Sequence, residues 1–174
     1  MQRRTLLAAS LALSASAAAP ALAQDAWPSR TVKIVCNFPP GGPLDVLARA
    51  VADVLQREFR QPFVVENKAG AGGNIGPDAV AKAEPDGYTM LFGIDSTFTV
   101  NPHIYKSMAF KPADLRPLVI VSSSGLLVGT HPSNGFKAMA DLVAAGKARS
   151  VAFSSAGSGS PGHLAAEMAT EAPA

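Results

Sequence analysis

Hydrophobic and polar positions follow two different periods along residues 31–93, and these periods predict strands and helices in turn. Between the strand-like runs, residues 43–59 carry apolar side chains at helical spacing, and residues 68–83 form a glycine-rich loop that leads into a short helix. Three short runs rich in β-branched and apolar residues are typical of buried strands: TVKIVCN (31–37), PFVVEN (62–67) and YTMLFG (88–93). This alternation predicts an α/β fold, with helices covering a parallel sheet.

The helix predicted over residues 43–59 has one continuous apolar face. On its opposite side, Asp45 and Arg49 are spaced to form an ion pair four residues apart. We expect the apolar face to pack on the sheet, and it consists of Leu44, Leu47, Val51, Val54, Leu55 and Phe59.

Residues 94–117 are interrupted by prolines and predict one short helix and a loop. The strand–helix alternation then resumes, with a helix predicted over residues 135–148. A corner rich in glycine and serine follows, and leads into a last helix that begins with a proline. Three further strands are predicted in this part of the chain, at residues 118–124, 126–133 and 150–155.

The first strand-to-helix corner has the composition of an anion-binding site. In parallel α/β sheets, ligands bind at the carboxyl ends of strands, beside helix N-termini. Glycines let a ligand approach the backbone, and Pro43 suits the first helical position. We expect a cradle for a carboxylate or phosphate from the free N–H groups of Gly41, Gly42, Leu44 and Asp45. A plain structural turn with the same residues remains the alternative.

Two more corners repeat this arrangement after later strands. One contains Gly70, Gly72 and Gly73, with Asn74 as the predicted N-cap of the next helix. The other runs over residues 156–160, where Ser158 and Ser160 add hydroxyl groups. Three such corners predict backbone donors that converge on one ligand.

Individual polar side chains near the corners have two interpretations each. Asp45 could reach a ligand or pair with Arg49, and His163 could face a ligand or be structural. Asp95 follows the third strand and is a further candidate. No metal site is predicted, because His103, His131 and His163 are dispersed and lack metal-ligand spacing. No catalytic residue is predicted either.

An enzyme hypothesis rests on one glycine motif. Gly157, Gly159 and Gly162 match the G-x-G-x-x-G pattern of dinucleotide-binding folds, after a predicted strand and before a helix. Cys36 lies in an apolar strand and is interpreted as a small buried side chain rather than a catalytic thiol. A secreted dinucleotide-dependent enzyme is kept as the less favoured alternative, because Pro161 inside the glycine motif and the export signal both count against a nicotinamide enzyme.

The first 23 residues have the pattern of a secretory signal peptide. Arg3 and Arg4 precede an uncharged, alanine-rich stretch, and Ala21 and Ala23 fit a small-x-small cleavage site, so Gln24 is the expected mature start. An uncleaved anchor is the alternative, and the export route is left open. The 15 basic residues lose Arg3 and Arg4 on cleavage, which leaves 13 against 13 acidic ones. This balance argues against nucleic acid and anionic membranes as partners.

Taken together, these motifs resemble one known family. The motifs concerned are the run from WPSRTVKIVCNFPPGG through GAGGN to DGYTMLFG, and later NPHIYKSMAF, LLVGTHPS and FSSAGSGSPGHLAAEM. Together they closely resemble the Bug, or TctC-like, solute-binding receptors of tripartite tricarboxylate transporters. The resemblance covers nearly all of residues 27–169.

The resemblance implies a two-lobed Venus-flytrap fold of the periplasmic-binding-protein type. Residues 24–117 would form the first lobe, and residues 118–174 part of a second. Because family members run further, we expect the second lobe and its return crossover to be incomplete. On that reasoning residues 24–174 alone would be poorly stable and would bind carboxylates weakly or not at all.

The resemblance also implies a periplasmic monomer, without a cofactor, that passes a small carboxylate to membrane permease subunits. A sensory variant that presents its ligand to a membrane kinase remains open. The ligand's carboxylate would be held largely by backbone amides, partly through ordered waters. The expected ligand-binding residues are Phe38, Pro39, Pro40, Gly41, Gly42, Asp45, Gly72, Gly73, Asn74, Asp95, Ala156, Gly157, Ser158, Gly159, Ser160 and His163.

Overall fold

The structure is a computed structural model that describes residues 26–171 of the 174-residue chain, with side chains described up to residue 169. The signal peptide over residues 1–23 lies outside these residues and stays a prediction. Within the described range, none of the helices combines the length and the apolar character that a membrane crossing requires.

Three parallel strands form the sheet: β1 (Val32–Cys36), β2 (Phe63–Asn67) and β3 (Thr89–Phe92). Their spatial order is β2-β1-β3, so β1 is the central strand. Ile34 in β1 lies opposite Val65 on one side and Met90 on the other. The α/β fold with a parallel sheet, predicted from the alternating periods, is confirmed.

The first helix, α1 (Pro43–Phe59), begins at the expected proline, and the face it packs on the sheet overlaps the predicted one only in part. Ala48 and Ala52 are its buried apolar residues, and they join Val32, Ile34, Cys36 and Phe63 in the core. Leu47 and Val54 are 37% and 60% exposed. The predicted buried face is confirmed in part, since Leu44 and Leu55 pack against this core. It is wrong for Leu47 and Val54, because the small side chains of Ala48 and Ala52 let α1 approach the sheet closely.

The remaining helices mostly follow the predicted positions. In place of one short helix in residues 94–117 the structure has two four-residue helices, α3 and α4. Single 3₁₀ turns occur at Ala71–Gly73, Pro112–Asp114 and Pro132–Asn134. The helices after α1 are α2 (Ile75–Ala81), α3 (Ser96–Thr99), α4 (Asn101–Ile104), α5 (Met139–Ala148) and α6 (Pro161–Glu171).

The strands predicted at residues 118–124, 126–133 and 150–155 do not form. The described structure has no strand there, and Ile120 and Leu127 are 88% and 99% exposed. A strand requires a hydrogen-bonded neighbour, and within residues 26–171 these segments have none. The apolar alternation is therefore present in the sequence without the pairing that would convert it into a sheet. The boundary between two lobes at residue 117 stays a prediction.

Buried polar residues concentrate after the carboxyl ends of the strands. Asn37 follows β1 directly and has no exposed surface, and α3 and α4, which follow β3, contribute further buried groups. The set comprises Asn37, Asp45, Asn74, Ser96, Thr97, Asn101 and Ser160. Buried polar groups need hydrogen-bond partners, and these partners organise the candidate site.

Candidate functional site

The first corner, residues 38–42, is a tight turn that leads into α1. Gly41 adopts a positive φ of 81°, and Gly42 is the N-cap of α1. The N–H of Gly41 was predicted to be free, but it donates to Oδ2 of Asp45 at 2.9 Å, which corrects that expectation. The N–H groups of Gly42, Leu44 and Asp45 have no acceptor within residues 26–171.

Charge at this corner is balanced between two side chains. Asp45 is 4% exposed, and its Oδ1 lies 3.0 Å from an Arg49 guanidinium nitrogen. The hydrogen bond from Arg49, followed by those from the Gly41 amide and Asn67, lowers the pKa of Asp45 to about 2. Asp45 therefore forms the predicted ion pair with Arg49 and is ionised in the folded protein, with both oxygens bonded to protein groups.

The second corner, residues 70–74, packs directly against the first. Gly73 has a φ of 89°, and a side chain there would come within 2.9 Å of the Phe38 ring. Asn37 Nδ2 donates to the Gly73 carbonyl at 2.9 Å. Asn74 does not cap α2 through its side chain as predicted, because its Oδ1 accepts a hydrogen bond of 2.8 Å from Asn101.

The third corner, residues 156–160, lies against the second. Tyr105 Oη donates to the Ser158 carbonyl at 3.2 Å, and a side chain at Gly72 would meet that same carbonyl at 3.0 Å. Gly159 packs so closely on Ile104 that an added Cβ would lie 2.8 Å from its Cδ1. Ser160 is buried, and its Oγ accepts the His163 N–H at 3.3 Å, which caps α6.

Two asparagines that sequence reasoning missed connect the three corners. Besides its bond to Gly73, Asn37 donates to Thr97 Oγ1 at 3.1 Å. Asn101 Nδ2 donates to the Gly72 carbonyl at 2.9 Å, and its Oδ1 would lie 3.2 Å from a Cβ on Gly159. The position of Asn37 at the end of the first predicted strand was an available signal, whereas Asn101 lies in the proline-interrupted stretch, where no pattern singled it out.

Both linking asparagines retain an unused acceptor. Oδ1 of Asn37 and Oδ1 of Asn101 are buried without a hydrogen-bond partner among the described residues. An unsatisfied buried carbonyl oxygen costs about 1–3 kcal/mol. The corners therefore offer acceptors as well as amide donors at their junction.

Asp95 and His163, which were predicted as ligand-binding residues, make their contacts mainly within or beside their own helices. Asp95 is exposed, and its Oδ1 accepts the Ser96 N–H at 2.9 Å at the start of α3. The His163 ring lies on α6 with Nε2 3.6 Å from a Glu167 carboxylate oxygen and 6.3 Å, centroid to centroid, from the Phe153 ring. The structure thus gives both residues local contacts, and a ligand contact for either stays a prediction.

Two cavities in the described part of the chain lie away from the corners. One, of about 250 Å³, is a groove on the outer face of α1 lined by Leu47, Val51 and Val54 among others. The other, of about 370 Å³, lies near Arg30 and Tyr88. We assign the site to the corners rather than to these cavities, because the buried polar groups converge there. Within the described residues, no group of three His, Cys, Asp or Glu side chains could hold a metal ion.

Cys36 is buried at the end of β1, as the sequence predicted. Burial raises the pKa of its thiol, and its Sγ lies 3.7 Å from the Phe38 carbonyl. A protonated, enclosed thiol does not serve as a nucleophile, so Cys36 contributes to packing behind the first corner.

In a parallel α/β sheet, glycine-rich corners at the carboxyl edge lie where small ligands bind. The model of the tripartite tricarboxylate transporter family receptor, TctC, matches residues 47–173. BugT of Bordetella pertussis is 41% identical over 159 residues, which cover 89% of this chain and 48% of that protein. A second Bordetella pertussis protein, of the UPF0065 group, is 33% identical over 146 residues, covering 83% of this chain and 45% of its own.

This chain belongs to the tripartite tricarboxylate transporter receptor family, which confirms the resemblance seen in its motifs. It spans about half the length of the curated relatives it matches. Similar solved structures include a Rhodopseudomonas palustris protein with adipate (40% identity, TM-score 0.49, 50% of this chain and 29% of that one). MatC of the same organism, with bound malate, is 36% identical with a TM-score of 0.47 over 49% and 29% of the chains. The family membership rests on the sequence matches.

Proposed function

We propose that this chain belongs to an extracytoplasmic receptor that captures a small carboxylate and delivers it to the membrane subunits of a tripartite tricarboxylate-type transporter. The observation that carries the proposal is the convergence of three glycine-rich corners on one edge of the sheet. The free amides of Gly42 and Leu44 stand at the N-terminus of α1, a 17-residue helix. Helix N-termini favour anions, since amide hydrogens and the helix dipole both act on negative charge.

The proposed role is binding rather than catalysis. The corner carrying the G-x-G-x-x-G match is packed on Ile104 and Asn101 at Gly159, and the Ser158 carbonyl is bonded to Tyr105. Gly157 has open space around it, but a dinucleotide pyrophosphate would also need the backbone at Gly159 exposed, and Gly159 is buried. Export by the predicted signal peptide, and a periplasmic location, complete the proposal. N-terminal sequencing of periplasmic material should show a chain starting at Gln24, whereas an intact Met1 in the membrane fraction would contradict export.

Gly42 provides the direct test of the first corner. Its φ is −78°, and an added Cβ would meet only the Pro39 carbonyl at 3.6 Å, so the fold accommodates a side chain. In the full-length protein, Gly42→Val should crowd a bound carboxylate and weaken binding by about 1–2 kcal/mol, the value of a charge-assisted hydrogen bond. Calorimetric titration with malate, adipate and citrate measures this.

The matched control is Gly146→Val on α5. Nothing lies within 4 Å of the position that an added Cβ would take there, and Gly146 belongs to none of the three corners. Equal affinities for Gly42→Val and the unaltered protein, with unchanged unfolding, would reduce the first corner to a structural turn. Failure of the unaltered protein to bind any carboxylate in the panel would overturn the proposed function.

A further inference from the structure

Asp45 occupies an unusual place in the first corner, because it is an anion beside amides proposed to bind an anion. Its Oδ2 accepts the Gly41 N–H at 2.9 Å and the Arg49 Nε–H at 3.1 Å. Its Oδ1 accepts from Asn67 Nδ2 at 2.9 Å and lies 3.0 Å from Arg49 Nη2. With 5% of the side chain exposed, neither oxygen is presented to a ligand.

Asn67 extends the network from the end of β2 to the other side of the corner. Its Nδ2 also donates to the Phe38 carbonyl at 3.1 Å. Its Oδ1 accepts from Arg49 Nη2 at 3.2 Å. Asp45 and Asn67 thus hold the backbone of residues 38–41 at both ends, on Phe38 and on Gly41, against α1 and β2.

This network decides which amides remain for a ligand. Asp45 occupies the Gly41 N–H, so the amides of Gly42, Leu44 and Asp45 itself are those left without an acceptor among the described residues at the start of α1. Arg49 balances the Asp45 charge, which leaves the dipole of α1 to act on an incoming anion. Binding to donors fixed in advance avoids the entropic cost of ordering a flexible loop.

We propose that Asp45 is the positioning residue of the carboxylate-binding corner: it orients the Gly42 and Leu44 amides without touching the ligand, with Asn67 and Arg49 as its supports. This inference rests on the proposed function and refines it. It replaces the expectation that Asp45 contacts the ligand.

The sign of the effect separates positioning from simple charge repulsion. Asp45→Asn removes a negative charge beside a site for anions, so electrostatics alone predicts tighter binding. Positioning predicts the opposite, because the amide side chain is a weaker acceptor for Gly41 and has lost its charge-assisted bonds to Arg49. We expect malate and adipate to bind about tenfold more weakly, which corresponds to the loss of about one such bond.

The experiment compares Asp45→Asn with Asp78→Asn in the full-length protein. Asp78 lies in the first turn of α2, as Asp45 does in α1, and forms an i,i+4 ion pair with Lys82, which gives the same substitution in the same helical spacing. Titration calorimetry gives affinities, and amide hydrogen exchange reports on Gly41. We expect weaker binding and faster Gly41 exchange for Asp45→Asn, and neither change for Asp78→Asn. Asn67→Ala supplies a second test should Asp45→Asn fail to fold, with the same direction expected.

Three possible results distinguish a failure of the positioning role from a failure of the proposed function. Tighter or unchanged binding by a folded Asp45→Asn would overturn the positioning role while leaving the proposed function intact. Unchanged Gly41 exchange together with weaker binding would also overturn it, and would indicate that Asp45 touches the ligand. Absence of binding by the unaltered protein would overturn the proposed function itself, on which the positioning role depends.

Discussion

At the scale of single residues, the corners depend on glycines for different physical reasons. Gly42 has ordinary extended backbone and open space, whereas Gly73 has a φ of 89° and lies against Asn37 and Phe38. The first glycine leaves room for a ligand, and the second makes close packing between two corners feasible. An added methyl group is therefore expected to affect the room for a ligand at Gly42 and the packing between two corners at Gly73.

Gly73→Ala should lower the free energy of unfolding by roughly 1–3 kcal/mol, the range for a non-glycine residue held at an unfavourable φ. An added Cβ would lie 2.8 Å from Asn37 Nδ2 and 2.9 Å from the Phe38 ring. Gly42→Ala should change it little, because its Cβ makes an ordinary contact. Urea unfolding followed by circular dichroism measures both. Equal losses for the two variants would contradict the different roles assigned to these glycines.

Acid should remove the contribution of Asp45 to stability. Its pKa is about 2 in the fold against 3.8 in the unfolded chain, so the folded state favours the ionised form. The contribution is complete above about pH 4 and is lost as pH falls through about 2. Glu66, whose pKa is lowered by Lys68 and Lys33, acts in the same direction.

Urea unfolding from pH 7 to pH 2 tests this for the unaltered protein and Asp45→Asn. The difference in their unfolding free energies should shrink over the lowest two pH units. Asp53→Asn, on the exposed side of α1, is the control and should follow the unaltered protein throughout. A constant difference between Asp45→Asn and the unaltered protein at all pH values would show that Asp45 contributes nothing through its charge.

At the scale of elements, the N-terminal ends of the helices, rather than their centres, form the candidate site. α1 begins at Gly42 and Pro43, and α6 begins at a proline capped by Ser160, so both direct their first turns towards the corners. Asn101 and Tyr105, at and after α4, hold the third corner in contact with the second. The position of α6 therefore depends on contacts made just before its first residue.

Ser160→Ala should destabilise α6 by about 1 kcal/mol, because Ser160 Oγ accepts the N–H of His163 in the first turn. Amide exchange over residues 161–169 should accelerate, while that of β1 should not change. Ser154→Ala, at an exposed position before the corner, is the matched control. Unchanged exchange in α6 after Ser160→Ala would show that its start is held by packing on α4 instead.

At the scale of the whole molecule, the two halves of the described chain differ in packing. The sheet, α1 and α2 enclose a core in which Val32 and Cys36 have no exposed surface. The segment from 118 to 128 is an apolar stretch without a covering layer. Its most exposed large side chains are Leu118, Val119, Ile120, Leu127 and Val128. Contiguous exposed apolar surface of this kind promotes association.

Replacing two of these residues should keep the chain of residues 24–174 monomeric at higher concentration. The variant is Ile120→Lys with Leu127→Lys, which removes the two most exposed apolar side chains of the segment. Ser122→Lys with Ser124→Lys is the control, since it adds equal charge to the same segment but keeps its apolar residues. Sedimentation velocity measures the monomer fraction. Equal gains from both variants would assign the effect to charge alone.

The sequence by itself determined the elements of the first half of the described chain and the position of its corners. Three short strands, the proline that starts α1 and the glycine-rich corners follow from local backbone preferences and from apolar periods, and they are where the pattern placed them. Family membership was equally readable, because the motifs TVKIVCNFPPGG, GAGGN and GSGSPGH are linear features.

The tertiary structure alone decided contacts between segments distant in sequence. Residues 118–133 alternate like strands but have no neighbour to pair with, and α1 buries Ala48 and Ala52 instead of Leu47. The roles of Asn37 and Asn101, and the hydrogen bond from Asn67 to Asp45, depend on distances that no local pattern encodes. Hydrogen bonds of buried side chains are fixed by which surfaces meet, and that is a property of the packed molecule.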